Sequence, residues 1–362
     1  MITISGTLSK AWMHETLDVA FDRDYYLNPD KRHAVDCRCN DYALREFPNM
    51  GLFYSESNLG RLPYWDRSQV LIGGIQPNMI LGMLLGAEFL PAEDRDADIA
   101  PACLAGIAPA DLPSPEELLR HDLVKLFEGQ VAAIQNRTDK PLQPIPPFFW
   151  DASGRAAIHG VLTTAQKLWG ETIFLDMMTD PDKCLQIMNW IAEAYTLLCR
   201  HFSRIADLPI TAVHVGECSC CMVSPAAVKE FVAPLTSSMG QKLGPVRLHS
   251  CGPSTHLLEA FAEITNLHSL DLGGETSVGK ARELFGDKMP ISIAPLPEDM
   301  GSENTDAILE WARAVLDNNA GGPLEYIYHV EPGYNMSVIR ALTDFVTGQP
   351  DFEPIRPCPQ DH

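Results

Sequence analysis

Two residues of the sequence could grip a metal: His249 and Cys251, separated by one residue and followed by Gly252-Pro253. Alternate residues of an extended segment point the same way, so the imidazole of His249 and the sulfur of Cys251 can close on one ion. A neutral imidazole and a thiolate suit zinc, and a catalytic zinc keeps one position open. Soft and acidic side chains recur at the ends of neighbouring apolar runs: Gly216-Glu217-Cys218, Asp271-Leu272-Gly273-Gly274-Glu275 and His329-Val330-Glu331-Pro332-Gly333-Tyr334. His214 sits inside such a run, placed for proton transfer. His159 ends another, and Asp151 and Arg155 flank Gly154 beside it. Glu217, His214 and Tyr334 are the candidates for catalysis. Asp151, Arg155, His159 and His329 are the candidates for holding substrate, and His249, Cys251, Cys218 and Asp271 those for holding metal.

Such residues need a scaffold that brings strand ends to one rim. From about residue 144, short apolar runs alternate with amphipathic helices. The runs are 147–150, 156–159, 210–215, 246–249, 268–272, 291–294 and 326–330. Helices are expected over 181–202, 225–243, 255–264, 278–285 and 305–318. Alternation at this spacing predicts parallel strands joined by right-handed crossovers. About seven strands, with no Gly-x-Gly-x-x-Gly after any of them, favour a closed (β/α)8 barrel, an α/β TIM barrel, over a doubly wound sheet. Catalytic groups of such barrels lie at the carboxyl ends of the strands. Residues 1–140 predict a mainly helical and irregular extension packed on a barrel of residues 141–350, with a tail over 351–362. No strong strand is expected in residues 1–65.

The motifs resemble the uroporphyrinogen decarboxylase superfamily over residues 145–347. The resemblance rests on Arg247-Leu248-His249-Ser250-Cys251-Gly252, about twenty residues after Ser224-Pro225 and the following Phe231-x-x-Pro234. It also rests on Gly160-x-Leu162-Thr163-x-Ala165-x-x-Leu168-x-Gly170 leading to Asp176 and Asp180-Pro181, and on Glu331-Pro332-Gly333-Tyr334. The arginine-rich segment with which true decarboxylases grip carboxylates is missing, and Leu62-Pro63-Tyr64-Trp65-Asp66-Arg67 is not that motif. The chain is closer to the corrinoid-linked methyltransferase branch. That resemblance implies zinc held by His-x-Cys and a distant Cys, a thiol activated by the zinc, and a methyl group carried on a corrinoid. The distant Cys would fall at Tyr334. The third ligand is therefore open between Tyr334, Asp271 or Glu275, and Glu217, Cys218, Cys220 or Cys221. The sequence contains no corrinoid-binding Asp-x-His-x-x-Gly, so the corrinoid would arrive on a partner protein.

Bulk properties narrow the alternatives. The 362 residues carry 48 acidic and 27 basic side chains, a formal charge of −21. That field disfavours nucleic acid and anionic membrane as partners and suits a neutral or cationic small molecule. Nothing approaches the ~18 apolar residues of a membrane span. Met1–Lys10 lacks a charged start followed by an apolar run, so a cytoplasmic protein is expected. There the ten cysteines are expected as thiols. Cys184 and Cys199 fall on helical stretches as core residues. A homodimer is compatible with an extension of this length. Two other functions stay open. One is a metal-free decarboxylase-like lyase using Arg247, Arg155 and Lys280. The other is a non-catalytic barrel that binds a ligand.

Overall fold

The computed structural model describes residues 1–48, 50–54, 67–138 and 141–354. Leu62–Asp66 and most of the expected C-terminal tail, from residue 355 on, lie outside the described residues. The strands are β1 (Ile2–Leu8), β2 (Leu52–Phe53), β3 (Gln69–Leu71), β4 (Phe89–Leu90), β5 (Asp98–Ile99), β6 (Gln143–Ile145), β7 (Arg155–His159), β8 (Ala212–Gly216), β9 (Val246–Ser250), β10 (Leu267–Gly273), β11 (Ile291–Ala294) and β12 (Leu324–Val330). Eight of them form one parallel sheet in the order β2-β1-β12-β11-β10-β9-β8-β7. The sheet curls into a TIM-barrel-like α/β fold with helices around it. Sequence neighbours pair from β7 to β12, as right-handed crossovers require. Separate small ladders join β3 to β6 and β4 to β5.

Six of the seven predicted runs are strands. The exception is Pro147–Trp150. Two prolines precede or begin it, and Phe148 adopts a left-handed φ of 68°, which breaks an extended run. The expectation of no strong strand in residues 1–65 is also corrected. Ile2–Leu8 pairs with β12 along its whole length, from Ile2 opposite Leu324 to Leu8 opposite Val330. Its Ile-Thr-Ile alternation was the available signal. The barrel sheet thus draws strands from both sides of residue 140.

The outer layer follows local rules. Helix Pro181–Ala206 starts with Asp180 accepting from the Lys183 N–H and Pro181 at the first turn. It ends at Asp207, in the left-handed region at φ 50°. Ile187, Met188, Ile191, Tyr195, Leu198, Cys199 and Phe202 form its buried stripe, at helical spacing. Between β8 and β9, a wide π turn over Val228–Val232 interrupts the predicted helix. Pro234, just beyond it, has no N–H to close a normal turn.

Parallel register sets the interior rows. Gly216 lies opposite His249, His249 opposite Asp271, Asp271 opposite Ser292, and Ser292 opposite Glu325. His214 lies opposite Arg247. These pairings carry the polar side chains of five strands into one connected layer.

Candidate metal centre at the barrel mouth

Cys218, His249 and Cys251 offer ligand atoms that all lie within 4.8 Å of one another, and they are the only such group among the described residues. The strand ends β8 and β9 deliver them. His249 and Cys251 share one side of the extended segment, and Cys218 follows Glu217 in the turn after Gly216. Cys251 is exposed and the other two are partly buried, so the group is open to solvent. The backbone packs tightly beneath it. A Cβ at Gly273 would collide with the carbonyl oxygen of Cys251, so only glycine lets β10 approach the Cys251 loop.

The group is held from below. His249 Nδ1 lies 2.9 Å from Asp271 Oδ2. Asp271 is fully buried, and Arg247 Nη1 donates to the same Oδ2 at 2.6 Å. Arg247 also donates to His214 Nδ1 at 3.0 Å and to Ser292 Oγ at 3.2 Å, and Ser292 donates to Glu325 at 2.7 Å. Burial alone would raise the Asp271 carboxyl, but Arg247 and His249 outweigh it and hold it well below the usual range. Burial would likewise lower His249, yet Asp271 and Cys251 carry it up to about 9. The thiol of Cys251 is held low by its contacts with Cys218 and His249, while Cys218 is pushed up by the same contact and by burial.

A cavity of about 310 Å³ opens beside the group. His159, His214, Cys218, His249 and His329 line it together with Tyr54, Phe148, Phe149 and Trp150. His329 Nδ1 is 2.9 Å from Thr7 Oγ1. Burial lowers His329, takes His159 down to about 4 with help from His249, and with Arg247 holds His214 far below its ordinary value.

The structure therefore gathers Cys218, His249, Cys251, Asp271, His214, His159 and His329. It leaves four other predicted residues elsewhere. The Glu217 carboxylate points under helix Val161–Trp169. There it accepts from the Leu162 and Thr163 N–H groups and the Thr163 hydroxyl at 3.1–3.3 Å. Burial pushes it up to about 7 against those bonds. Tyr334 lies beyond Glu331 and belongs neither to the metal group nor to the cavity lining. Asp151 and Arg155 pair with each other at the opposite, amino-terminal end of β7. Asp271 touches His249 and is not one of the three grouped residues.

Two features of the site were missed from the sequence. Arg247 joins His214 to Asp271. The signal was its spacing two before His249, which puts both on one side of β9. Lys10 is buried at the cavity wall and pairs with Asp96. It comes from the N-terminal segment, and no local pattern marks it.

The donor set fits zinc. Two sulfurs and one imidazole are a known catalytic ligand set with one position left open. A carboxylate on the far nitrogen of the ligating histidine is its usual support.

No protein-family profile matches the chain, and no curated protein matches it. Among solved structures it is similar to a methyltransferase from Methanosarcina mazei. The two share 14% identity with a TM-score of 0.60, over 95% of this chain and 91% of that one. At that identity the likeness establishes the fold, a barrel of nearly the same extent.

Proposed function

We propose that this chain is a zinc-dependent methyltransferase. It would move a methyl group between a corrinoid carried by a partner protein and a small acceptor or donor such as a thiol. The observation that carries the proposal is the third ligand. Cys218 meets His249 and Cys251 where the motif pattern had put Tyr334. Similarity in fold to a solved methyltransferase supports the same reading.

Cys218, His249 and Cys251 would hold the metal. Bound zinc would supply Lewis acidity that makes a thiol a better nucleophile near neutral pH. Asp271, 2.9 Å from His249 Nδ1, would orient the ring toward the metal through its other nitrogen, and Arg247 balances the buried carboxylate. Tyr54, Phe149 and Trp150 give the cavity an aromatic wall against which an apolar part of a substrate would pack. A carboxylate-gripping lyase is less well supported. Arg155, Arg247 and Lys280 are all absent from the cavity lining among the described residues.

Zinc analysis of untagged protein tests the proposal. We expect one equivalent, lost in Cys218→Ala and Cys251→Ala and retained in Tyr334→Phe. Transfer from methylcobalamin to a thiol should follow zinc content. Full zinc and activity in Cys251→Ala would refute the assignment.

A further inference from the structure

Among the described residues, three glycines sit in the barrel strands: Gly6, Gly216 and Gly273. Two have a reason within the protein. A Cβ on Gly6 would run into the Tyr328 ring, and one on Gly273 into the Cys251 carbonyl. Gly216 has no such neighbour. A Cβ there would meet the Ile158 carbonyl oxygen at 3.8 Å, then His159 Cδ2 and His214 Nε2 at 3.9 Å. Those are ordinary contact distances. Its φ also lies outside the left-handed region that asks for glycine. The residue is nonetheless held in the sheet on both sides, opposite His159 on β7 and His249 on β9. A glycine weakens a strand and often marks a place where a ligand or another backbone comes close. No described backbone comes that close to Gly216.

The gap it leaves belongs to the cavity. Gly216 is two residues from His214 and so presents the same side of β8, and both line the cavity together with Cys218. In the row His159, Gly216, His249 the outer positions carry imidazoles and the middle one carries only hydrogen. Neighbouring strands stand about 4.8 Å apart, so the outer two are separated by roughly twice that distance. One of those imidazoles, His249, belongs to the metal group, and Cys218 follows Gly216 by two residues. A thiol whose sulfur met that group would carry its first carbon into the adjoining space.

We propose that Gly216 is a specificity-determining residue: its missing side chain leaves the space that receives the carbon next to the sulfur of a small thiol substrate, beside the Cys218–His249–Cys251 group. This deepens the methyltransferase proposal and rests on the cavity being its substrate site.

Dissociation constants of ethanethiol and 2-propanethiol for the zinc-loaded and the metal-free full chain test it, read by calorimetry on the parent and on Gly216→Ala. The added methyl has room and the backbone there suits any residue, so the variant should melt no lower than the parent. Its zinc content should be unchanged, since Gly216 offers no ligand atom. Ethanethiol should bind the variant about 10-fold more weakly than the parent, and 2-propanethiol, with one more methyl on the carbon beside sulfur, should lose more. Equal affinities in parent and variant would overturn the inference, as would a loss that does not grow with the extra methyl, or failure of both thiols to bind the parent. So would loss of zinc from the variant, or a melting point more than about 5 °C lower, because the space would then serve the fold. Zinc measured on the same samples separates the two proposals. Zinc absent from the parent refutes the metal assignment alone, and the thiol comparison on the metal-free protein then decides this one. Bound zinc with unchanged thiol affinities refutes this one alone.

Discussion

Asp271→Asn is the most informative single substitution. One oxygen of Asp271, Oδ2, faces both Arg247 at 2.6 Å and His249 at 2.9 Å, while Oδ1 has no hydrogen-bond partner among the described residues. Asparagine can keep its oxygen at Oδ2 and place its amide where Oδ1 lies buried without a partner among the described residues, so the shape survives and the charge goes. Arg247, only 13% exposed, is then left without its counter-ion. Breaking a buried pair costs about 3–5 kcal/mol, and the surviving neutral acceptor puts this case near 3. At roughly 2 °C per kcal/mol, the metal-free protein should melt about 6 °C lower. Zinc affinity should fall 10–100-fold in a chelator competition, because His249 loses its orienting carboxylate. The folded carboxyl is depressed, so its contribution is present above the unfolded value near ~3.9 and is lost as the pH falls below it. The gap between variant and parent should therefore close in acid. Adding Arg247→Met removes the stranded charge and should recover most of the melting temperature without recovering zinc affinity. A single variant within about 1 °C of the parent and within about 2-fold in zinc affinity would refute this account of the site.

Two further predictions concern the support beside it. Glu217 is fully buried with its folded pKa raised from 4.5 to about 7, so its stabilising contribution is complete below about 4.5 and is lost as pH rises through 7. Glu217→Gln should flatten that slope, worth on the order of 3 kcal/mol between pH 4.5 and 7, in urea titrations of the metal-free protein. An unchanged slope would show that the carboxylate stays ionised. Gly160→Ala sets a Cβ against the Glu217 carboxyl, with φ itself unstrained at −68°. It should cost about 1–3 kcal/mol by overpacking. The double variant Gly160→Ala, Glu217→Ala should recover part of that loss, since the clash is with that side chain.

Much of the scaffold was legible because strand and helix periods differ. Runs such as Ile291–Ala294 and helix Thr305–Asp317 announce themselves locally. The exceptions are local failures of the same rule. Phe148 bends an apolar run at positive φ, and β1 lies well before the region of regular strand–helix alternation. The carboxyl group at the start of helix Val161–Trp169 is that of Glu217, supplied by the neighbouring strand end. A cap contributed from 54 residues away leaves no mark in the local sequence.

The sequence by itself indicated that His249 and Cys251 would lie together, because a two-residue spacing on an extended segment turns both to one side. It also pointed to strand ends gathering such residues at one rim. Only the tertiary structure brought Cys218 beside the pair. Cys218, Glu217, Asp271 and Tyr334 all follow or end a strand, and sequence cannot say which turn swings its side chain inward. Register brings it there: Gly216 beside His249 sets the Cys218 turn near the pair, while His249 beside Asp271 puts the carboxylate against the ring. Such distances are set by closing one strand against the next, and that closure is a property of the folded sheet.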